Sequence, residues 1–195
     1  MQKRRLGPCV TFFPQPATLI ATRDSAGVAN LMMASWVGIV SKTPPTIGVS
    51  LHHGRQTYVN IKASGGFSVN VVPAELAVAA DLCGVASGRR VDKLAATGLQ
   101  LEAGVHDDLP LVVESPLNLE CRYRDEMILG EYRLVFGEIV EIHARDAAFD
   151  AAGNADIRQF DPLVYLGGLR EYWSLGAKVA DAYQAGLALL PKAGE

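Results

Sequence analysis

A strictly alternating run at residues 117–124 constrains the fold of this chain more than any other feature of its sequence. Its apolar and polar members would face opposite sides: Leu117, Leu119, Cys121 and Tyr123 against Asn118, Glu120, Arg122 and Arg124. A period of two predicts a half-buried β-strand. After Gly130-Glu131 the apolar row continues on a returning strand, broken only by Glu138: Tyr132, Leu134, Phe136, Val140 and Ile142. The two runs predict a long hairpin.

Shorter strands precede this hairpin. Residues 17–22 and 28–33 are apolar and flank the turn-forming segment Asp24-Ser25-Ala26-Gly27, which predicts a second hairpin. Further strands are predicted at 36–40, 46–51, 66–72 and 163–165. Helices are predicted at 55–64, ended by Gly65-Gly66, at 74–82, closed by Gly84, and at 178–190 as an amphipathic terminal helix. Residues 84–110 and 149–156 are predicted to form loops.

Many short strands with a few peripheral helices favour a mainly β fold, a closed or partly closed antiparallel barrel. There is no regular alternation of strands and helices, and no Gly-x-Gly-x-x-Gly follows a strand, so a doubly wound nucleotide fold is disfavoured. A length of 195 residues suits one domain, which we assign to residues 1–195.

Charge and hydropathy limit the partners of the chain. Its net charge of −3 provides no positive field for nucleic acid or for an anionic membrane. Pro8, Pro14 and Pro16 interrupt any apolar run near the start, and no later run is long enough to span a bilayer. We therefore expect a cytoplasmic protein. The three cysteines are widely spaced and are interpreted as reduced, packed thiols: Cys9, Cys83 and Cys121.

No arrangement of a nucleophile with a base is legible in the sequence, and we predict neither a catalytic side chain nor a metal site. His52 and His53 are adjacent, so in an extended chain they would point to opposite faces. A chain without reactive side chains of its own can take its chemistry from a cofactor.

Two segments are suited to holding a cofactor. Residues 30–36 combine small, polar and soft apolar side chains, which permit a backbone edge to approach a flat heteroaromatic ring. Residues 50–57 lead into a helix whose start carries Arg55, Gln56 and Thr57, a favourable place for a phosphate. The alternative is that Thr57 only caps the helix and that Trp36 belongs to the core.

An ordered set of short motifs resembles the flavin reductase-like proteins, which include the flavoredoxins. The set runs through Thr22-Arg23-Asp24, Gly27 and Asn30, Ala34-Ser35-Trp36, Ser41, Pro44-Pro45, residues 50–57, Ile61, Ser64-Gly65-Gly66-Phe67, Val69-Asn70, Ser87-Gly88, Asp92-Lys93-Leu94 and Gly98-Leu99. The resemblance covers about residues 17–145, with a tail at 162–168, and implies an FMN-binding split barrel.

The resemblance also implies a cofactor site and an activity. The cofactor would be FMN, with NADH or NADPH as co-substrate giving hydride to it, in a homodimer that passes electrons to a partner oxygenase or another acceptor. The residues that it assigns to the cofactor are Asn30, Leu31, Met32, Met33, Ala34, Ser35, Trp36, Ser50, His52, His53, Gly54, Arg55, Thr57, Lys93 and Tyr132.

In one respect the chain departs from the family pattern. Many flavoredoxin-like members have a histidine before the returning strand, where this chain has Gly130-Glu131-Tyr132. Tyrosine does not titrate near neutral pH. One alternative that this favours is an FMN electron carrier that does not oxidise nicotinamide. A separate alternative is a cofactor-free or haem-binding member of the same barrel superfamily, in which haem would take an axial ligand among His52, His53, His106 and His143.

Overall fold

The computed structural model describes residues 3–10 and 13–190. Its strands are β1 (Pro14–Pro16), β2 (Thr18–Arg23), β3 (Ala29–Ala34), β4 (Val37–Lys42), β5 (Pro45–His52), β6 (Gly66–Val71), β7 (Leu101–Ala103), β8 (Pro110–Val112), β9 (Leu117–Leu129), β10 (Tyr132–Ala144), β11 (Leu163–Leu166) and β12 (Glu171–Ser174). Its α-helices are α1 (Gln56–Ser64), α2 (Ala77–Val85), α3 (Lys93–Thr97) and α4 (Ile157–Phe160).

Seven antiparallel strands form the main sheet, in the order β3-β2-β6-β9-β10-β5-β4. The edge strands β3 and β4 are consecutive in the chain and are separated only by Ser35 and Trp36. The sheet must therefore curl until its two edges lie near each other. Because β3 and β4 are not paired with each other, the barrel stays split along this seam. The predicted mainly β split barrel is confirmed.

The core lies in two clusters on opposite sides of the β2–β3 ribbon. Inside the barrel, Ile20, Val49, Phe67, Cys121 and Val135 are buried together, and Ile61 of α1 closes one end. The second cluster lies between this ribbon and α2, and it includes Leu19, Ala21, Leu31, Ala80 and Cys83. Successive side chains of β2 and β3 thus point alternately into the two core clusters, as the period of two requires.

The predicted β2–β3 hairpin and the predicted helix before Gly65 are confirmed. Asp24 Oδ1 accepts hydrogen bonds from the N–H groups of Ala26 and Val28, both at 2.9 Å. Gly65 ends α1 with a left-handed φ of 75°. The prediction that Gly84 closes the second helix is wrong, because α2 continues through Gly84 to Val85. A Cβ at position 84 would lie 3.3 Å from Met33 Cβ, so the glycine lets α2 approach β3.

The long hairpin is confirmed, and Leu119 and Cys121 of β9 lie in the barrel core as predicted, but the predicted half-burial of β9 is wrong at two positions. Asn118 and Glu120, expected on the polar side of a half-buried strand, are buried. Their face of β9 is covered, since Asn118 Nδ2 donates to Val112 O at 2.9 Å and Glu120 accepts from two N–H groups of the loop at 104–108. On β10, Val135 enters the core while Tyr132, Leu134 and Phe136 lie on the outer face, and a register shift between Ile139 and Glu141 returns Ile142 to the face of the buried Leu119.

The predicted terminal helix at 178–190 is also wrong. The segment contains turns and one short 3₁₀ helix, Leu187–Leu189. Val179 and Tyr183 are 98% and 95% exposed, so the apolar side of this segment has no surface to pack against. Short helices without such packing are marginal in water. The loop-rich prediction for 84–110 missed α3 and β7, and Asp92 caps α3 by accepting from Ala95 N.

No helix in the described part of the chain is long and apolar enough to cross a membrane. Smaller sheets flank the barrel, in the order β1-β11-β12 and as the pair β7-β8. The pair β7-β8 lies over the outer face of the main sheet, where Ser68 of β6 donates to Pro110 O at 2.5 Å. These additions leave the seam between β3 and β4 open.

Candidate functional site

One cavity opens at the seam where the chain passes from β3 to β4, and we call it the seam cavity. Its volume is about 150 Å³. The end of β3 and the two linking residues form one wall, and β5 and β10 form the other. Its lining residues are Met32, Met33, Ala34, Ser35, Trp36, Ser50, Leu51, His52, Arg55 and Tyr132.

The aromatic side of the seam cavity is built by pairing of β5 with β10. Tyr132 lies opposite His52 in the register, and their rings meet edge to face with centroids 5.8 Å apart. The Trp36 ring lies 5.0 Å from the Tyr132 ring, tilted by 38°. Trp36 is half-buried rather than a core residue. The cavity therefore offers aromatic faces and backbone edges to a flat ligand.

A second cavity of about 160 Å³ lies at the start of α1, and we call it the cation cavity. It shares Met32 and Arg55 with the seam cavity, so the two form one continuous groove. Its lining residues are Asn30, Met32, Gly54, Arg55, Gln56, Thr57, Ala86, Ser87, Gly88, Arg89 and Lys93. None of these is acidic, while three carry a positive charge.

Lys93 is the most deeply buried of the three cations, with 6% of its surface exposed. Its Nζ donates to Leu31 O at 2.6 Å and to Cys83 O at 2.7 Å, which leaves one of its three N–H groups. Burial lowers the pKa of Lys93, and the positive charge of Arg55 lowers it further. An anion between Lys93 and Arg55 would relieve both effects.

The first turn of α1 faces the same cavity. Arg55 is the N-cap, with extended backbone, and no side chain caps the helix. Thr57 therefore does not serve as the cap. It is buried, and its Oγ1 accepts from Asn30 Nδ2 at 3.0 Å. The free N–H groups of the first turn favour an anion.

The loop at 86–92 closes the other side of the cation cavity by packing against β3. A Cβ at Gly88 would lie 2.0 Å from Asn30 Oδ1, so a larger residue there would force the Asn30 amide, which donates to Thr57 Oγ1, to move. The close packing of Gly88 on Asn30 brings the loop, with Arg89, to the start of α1.

The structure brings most of the predicted site residues into this one groove. All fifteen except Leu31 and His53 line the seam cavity or the cation cavity. Leu31 contributes its carbonyl to Lys93, and its side chain lies in the core under α2. His53 is exposed and stacks on His52 with ring centroids 4.7 Å apart.

Sequence reasoning did not select several residues that line the groove. These are Leu51, Ala86, Ser87, Gly88 and Arg89. Leu51 lies next to selected residues and could have been found by extending that segment, and Gln56 was named at the helix start but not assigned to the cofactor. Arg89 reaches the cavity only because its loop folds back on Asn30, a contact across 58 positions of sequence that no local pattern indicates.

The adjacent histidines share one side, which corrects the expectation of opposite faces. β5 ends at His52, and His53 lies in the turn that follows. Within the described residues, His52, His53 and Glu131 form the one group of three metal-ligand side chains. His52 Nδ1 accepts from Gly54 N at 2.9 Å, so the neutral ring carries its hydrogen on Nε2, facing Glu131. His52 Nδ1 is then engaged, while Nε2 lies 3.8 Å from Glu131 Oε2, beyond hydrogen-bond distance.

Comparison with known proteins gives one consistent result. The model of the flavin reductase like domain matches residues 10–174. The solved structure of flavoredoxin from Desulfovibrio vulgaris (Miyazaki F) is similar with a TM-score of 0.89 and 32% identity, covering 95% of this chain and all of that one. Flavoredoxin from Methanosarcina acetivorans has a TM-score of 0.88 and 30% identity, with 97% and 100% covered.

A curated relative from Archaeoglobus fulgidus, itself uncharacterized, is 35% identical over 66% of this chain and 71% of its own length. The family match spans most of the chain, and the seam and its groove lie within it. The chain therefore belongs to the flavin reductase-like domain family, as the resemblance of its motifs implied.

Proposed function

We propose that this protein binds FMN in the groove and catalyses its reduction by NADH or NADPH. The observation that carries the proposal is the joining of two cavities with complementary chemistry. One offers aromatic faces at the seam, and the other offers three cations and a helix start with no acid among its lining residues. FMN has the same order of parts, a flat ring, a short polyol chain and a phosphate dianion.

The phosphate end is matched by charge and hydrogen bonding. Arg55 at the helix start can form two parallel hydrogen bonds to a phosphate, and the buried Lys93 adds a point charge. Thr57 Oγ1, which accepts from Asn30, keeps its own hydrogen to donate. Thr57 and Lys93 are already held by hydrogen bonds to Asn30, Leu31 and Cys83, so little ordering of these two side chains is needed when the anion binds.

The ring end is matched by shape and by backbone groups. Ala34 and Ser35 are small, which permits close approach to the chain between the two edge strands. Trp36 and Tyr132 border the same opening and can pack against a ring face. His52 adds an Nε2–H donor, since its Nδ1 accepts from Gly54 N.

When bound, FMN supplies the hydride chemistry, taking two electrons from reduced nicotinamide and passing them to an acceptor. The side chains of the chain bind and orient the reactants, and none is proposed as a nucleophile. Arg55 and Lys93 fix the phosphate, which sets the position of the ring in the seam cavity. Donors at the ring edge favour negative charge there. The acceptor is proposed to be a partner oxygenase or another redox protein.

A fluorescence titration of FMN with the dialysed protein tests this proposal. We expect saturation near one flavin per chain. Arg55→Ala should weaken the affinity at least about tenfold, because a charge-assisted bond to phosphate is lost. Arg158→Ala is the control, since that side chain is 84% exposed and paired with Asp156 away from the groove. A flat signal at about 100 μM protein would mean binding weaker than about −5.5 kcal/mol and would end the proposal.

A second candidate is an FMN electron carrier that does not oxidise nicotinamide. Tyr132 is the observation that favours it, because a tyrosine lines the seam cavity at the position where many flavoredoxin-like proteins have a histidine. Mixing NADH or NADPH with the FMN-loaded protein under anaerobic conditions separates the two. Bleaching of the flavin absorbance supports the reductase, and an unchanged spectrum supports the carrier.

We also propose that the chain acts as one functional domain in a homodimer. The outer face around Gly48 of β5 carries exposed Val40 beside half-buried Leu134 and Phe136, and it continues to Tyr132 at the seam cavity. Such a contiguous apolar face is typical of a protein interface. Light scattering during gel filtration should give twice the chain mass. A Leu134→Lys variant should shift the protein towards the monomer.

A further inference from the structure

Of the three cations that line the cation cavity, Arg89 is the one that lies within a loop, while Arg55 and Lys93 lie at the starts of helices. The loop side chain is nevertheless anchored. Its Nε donates to Gln56 Oε1 at 3.0 Å. Gln56 is the first residue of α1, so this bond spans the mouth of the cavity from the loop to the helix.

Gln56 is itself fixed by a chain of amide hydrogen bonds that runs into the core. Its Nε2 donates to Asn60 Oδ1 at 2.7 Å, and Asn60 Nδ2 donates to Thr22 Oγ1 at 3.0 Å. Asn60 and Thr22 are buried, with 1% and 0% of their surface exposed. Each amide uses its oxygen and its nitrogen in a definite sense, so the chain sets which end of Gln56 faces Arg89.

The bond to Gln56 uses only one of the five N–H groups of the Arg89 guanidinium. Arg89 lines the cation cavity, and the four N–H groups of its terminal nitrogens stay available to bind a phosphate bidentately. An unanchored surface arginine loses much rotamer freedom on binding, which offsets the gain. Anchoring by Gln56 removes part of that loss before the ligand arrives.

We propose that Arg89, positioned by Gln56, is a phosphate latch that determines preference for phosphorylated flavin over riboflavin and slows release of FMN. The inference rests on the proposed function and deepens it. Arg55 lies at the start of α1 and Lys93 at the start of α3, and Arg89 adds a third positive charge from the loop between α2 and α3. The Arg89 latch acts on the phosphate only, so replacing Arg89 should leave binding of the flavin ring unchanged.

The test compares FMN with riboflavin, which has the same ring and no phosphate, in fluorescence titrations and stopped-flow release. Arg89→Ala should lower the FMN affinity about tenfold, mostly through faster release, and leave riboflavin affinity within about twofold. Gln56→Met should lower the FMN affinity about threefold, since Arg89 stays but loses its anchor. The double variant should be no weaker than Arg89→Ala alone.

Arg90→Ala is the matched control, because Arg90 is an exposed neighbour that does not line the cation cavity. Circular dichroism checks that each variant is folded. Equal ratios of FMN to riboflavin affinity in the wild type and Arg89→Ala would overturn the latch. A loss of the same size in Arg90→Ala would also overturn it, since the effect would then be general charge. Failure of the wild type to bind FMN would instead refute the proposed function.

Discussion

Two regions of this molecule bury charge, and they do it in opposite ways. Glu120 is fully buried, and the protein supplies its partners: His143 Nε2 at 2.5 Å, Val105 N at 2.9 Å and His106 N at 2.8 Å. Lys93 is almost as deeply buried, but its charged neighbour is Arg55, of the same sign. A buried charge that is satisfied internally holds the fold together. A cluster of like charges around a cavity lacks a counter-charge until an ion of the opposite sign binds.

Glu120 also explains why a glycine lies beside it. A Cβ at Gly104 would lie 2.5 Å from the Glu120 carboxylate, so the loop at 104–108 can wrap the carboxylate only with glycine at its start. Neither the seam cavity nor the cation cavity is lined by residues of this cluster. The two regions can therefore be tested separately.

The largest effect is expected from Glu120→Ala. The change leaves two N–H groups and His143 without their acceptor, and it should lower the free energy of unfolding by about 3–5 kcal/mol. Urea denaturation measures it. Glu138→Ala is the control, because that carboxylate pairs with Arg124 at the surface and should contribute about 0–1 kcal/mol. Equal losses in both variants would show that burial of Glu120 has no special role.

Lys93→Met tests whether the cation cavity has a structural role of its own. The variant leaves the carbonyls of Leu31 and Cys83 without their donor, so unfolding should become easier by about 1–3 kcal/mol and FMN affinity should also fall. Arg55→Met should weaken FMN binding alone, with unfolding changed by less than about 0.5 kcal/mol. If Arg55→Met proves as destabilising as Lys93→Met, the contrast between the two cations fails.

Inorganic phosphate should stabilise the folded protein by binding in the cation cavity. A ligand that binds only the folded state at about ten times its Kd adds about 1.4 kcal/mol to the free energy of unfolding. Thermal melts at constant ionic strength should show a higher Tm in phosphate than in chloride for the wild type. Arg55→Met should lose most of this difference, and Glu120→Gln should keep it. A Tm rise that survives in Arg55→Met would assign the effect to general salt.

The smallest effect concerns acid stability. Burial raises the pKa of Glu120, but the hydrogen bonds from His143, Val105 N and His106 N outweigh it and hold the pKa below its ordinary value of 4.5. A carboxyl with a lowered pKa contributes stability above its unfolded pKa and loses it as pH falls through the folded value. Between about pH 6 and pH 3, the wild type should therefore lose more free energy of unfolding than Glu120→Gln. Parallel curves would contradict this.

The same contrast shows what the sequence can predict. The β2–β3 hairpin was predictable because Asp24 and Gly27 build its turn from neighbouring residues. Burial of Glu120 was not, since a loop distant in sequence covers that face of β9. Likewise, Arg89 joins the groove only through packing of Gly88 on Asn30. The terminal helix failed because amphipathic spacing needs a surface, and Val179 and Tyr183 have none.

The most direct test of the account is a crystal structure of the protein grown with FMN. The account predicts the phosphate within hydrogen-bond distance of the Arg55 guanidinium and the first N–H groups of α1, with the flavin ring at the seam between β3 and β4 beside Trp36. A flavin bound elsewhere, or one whose phosphate points away from Arg55 and Lys93, would contradict it.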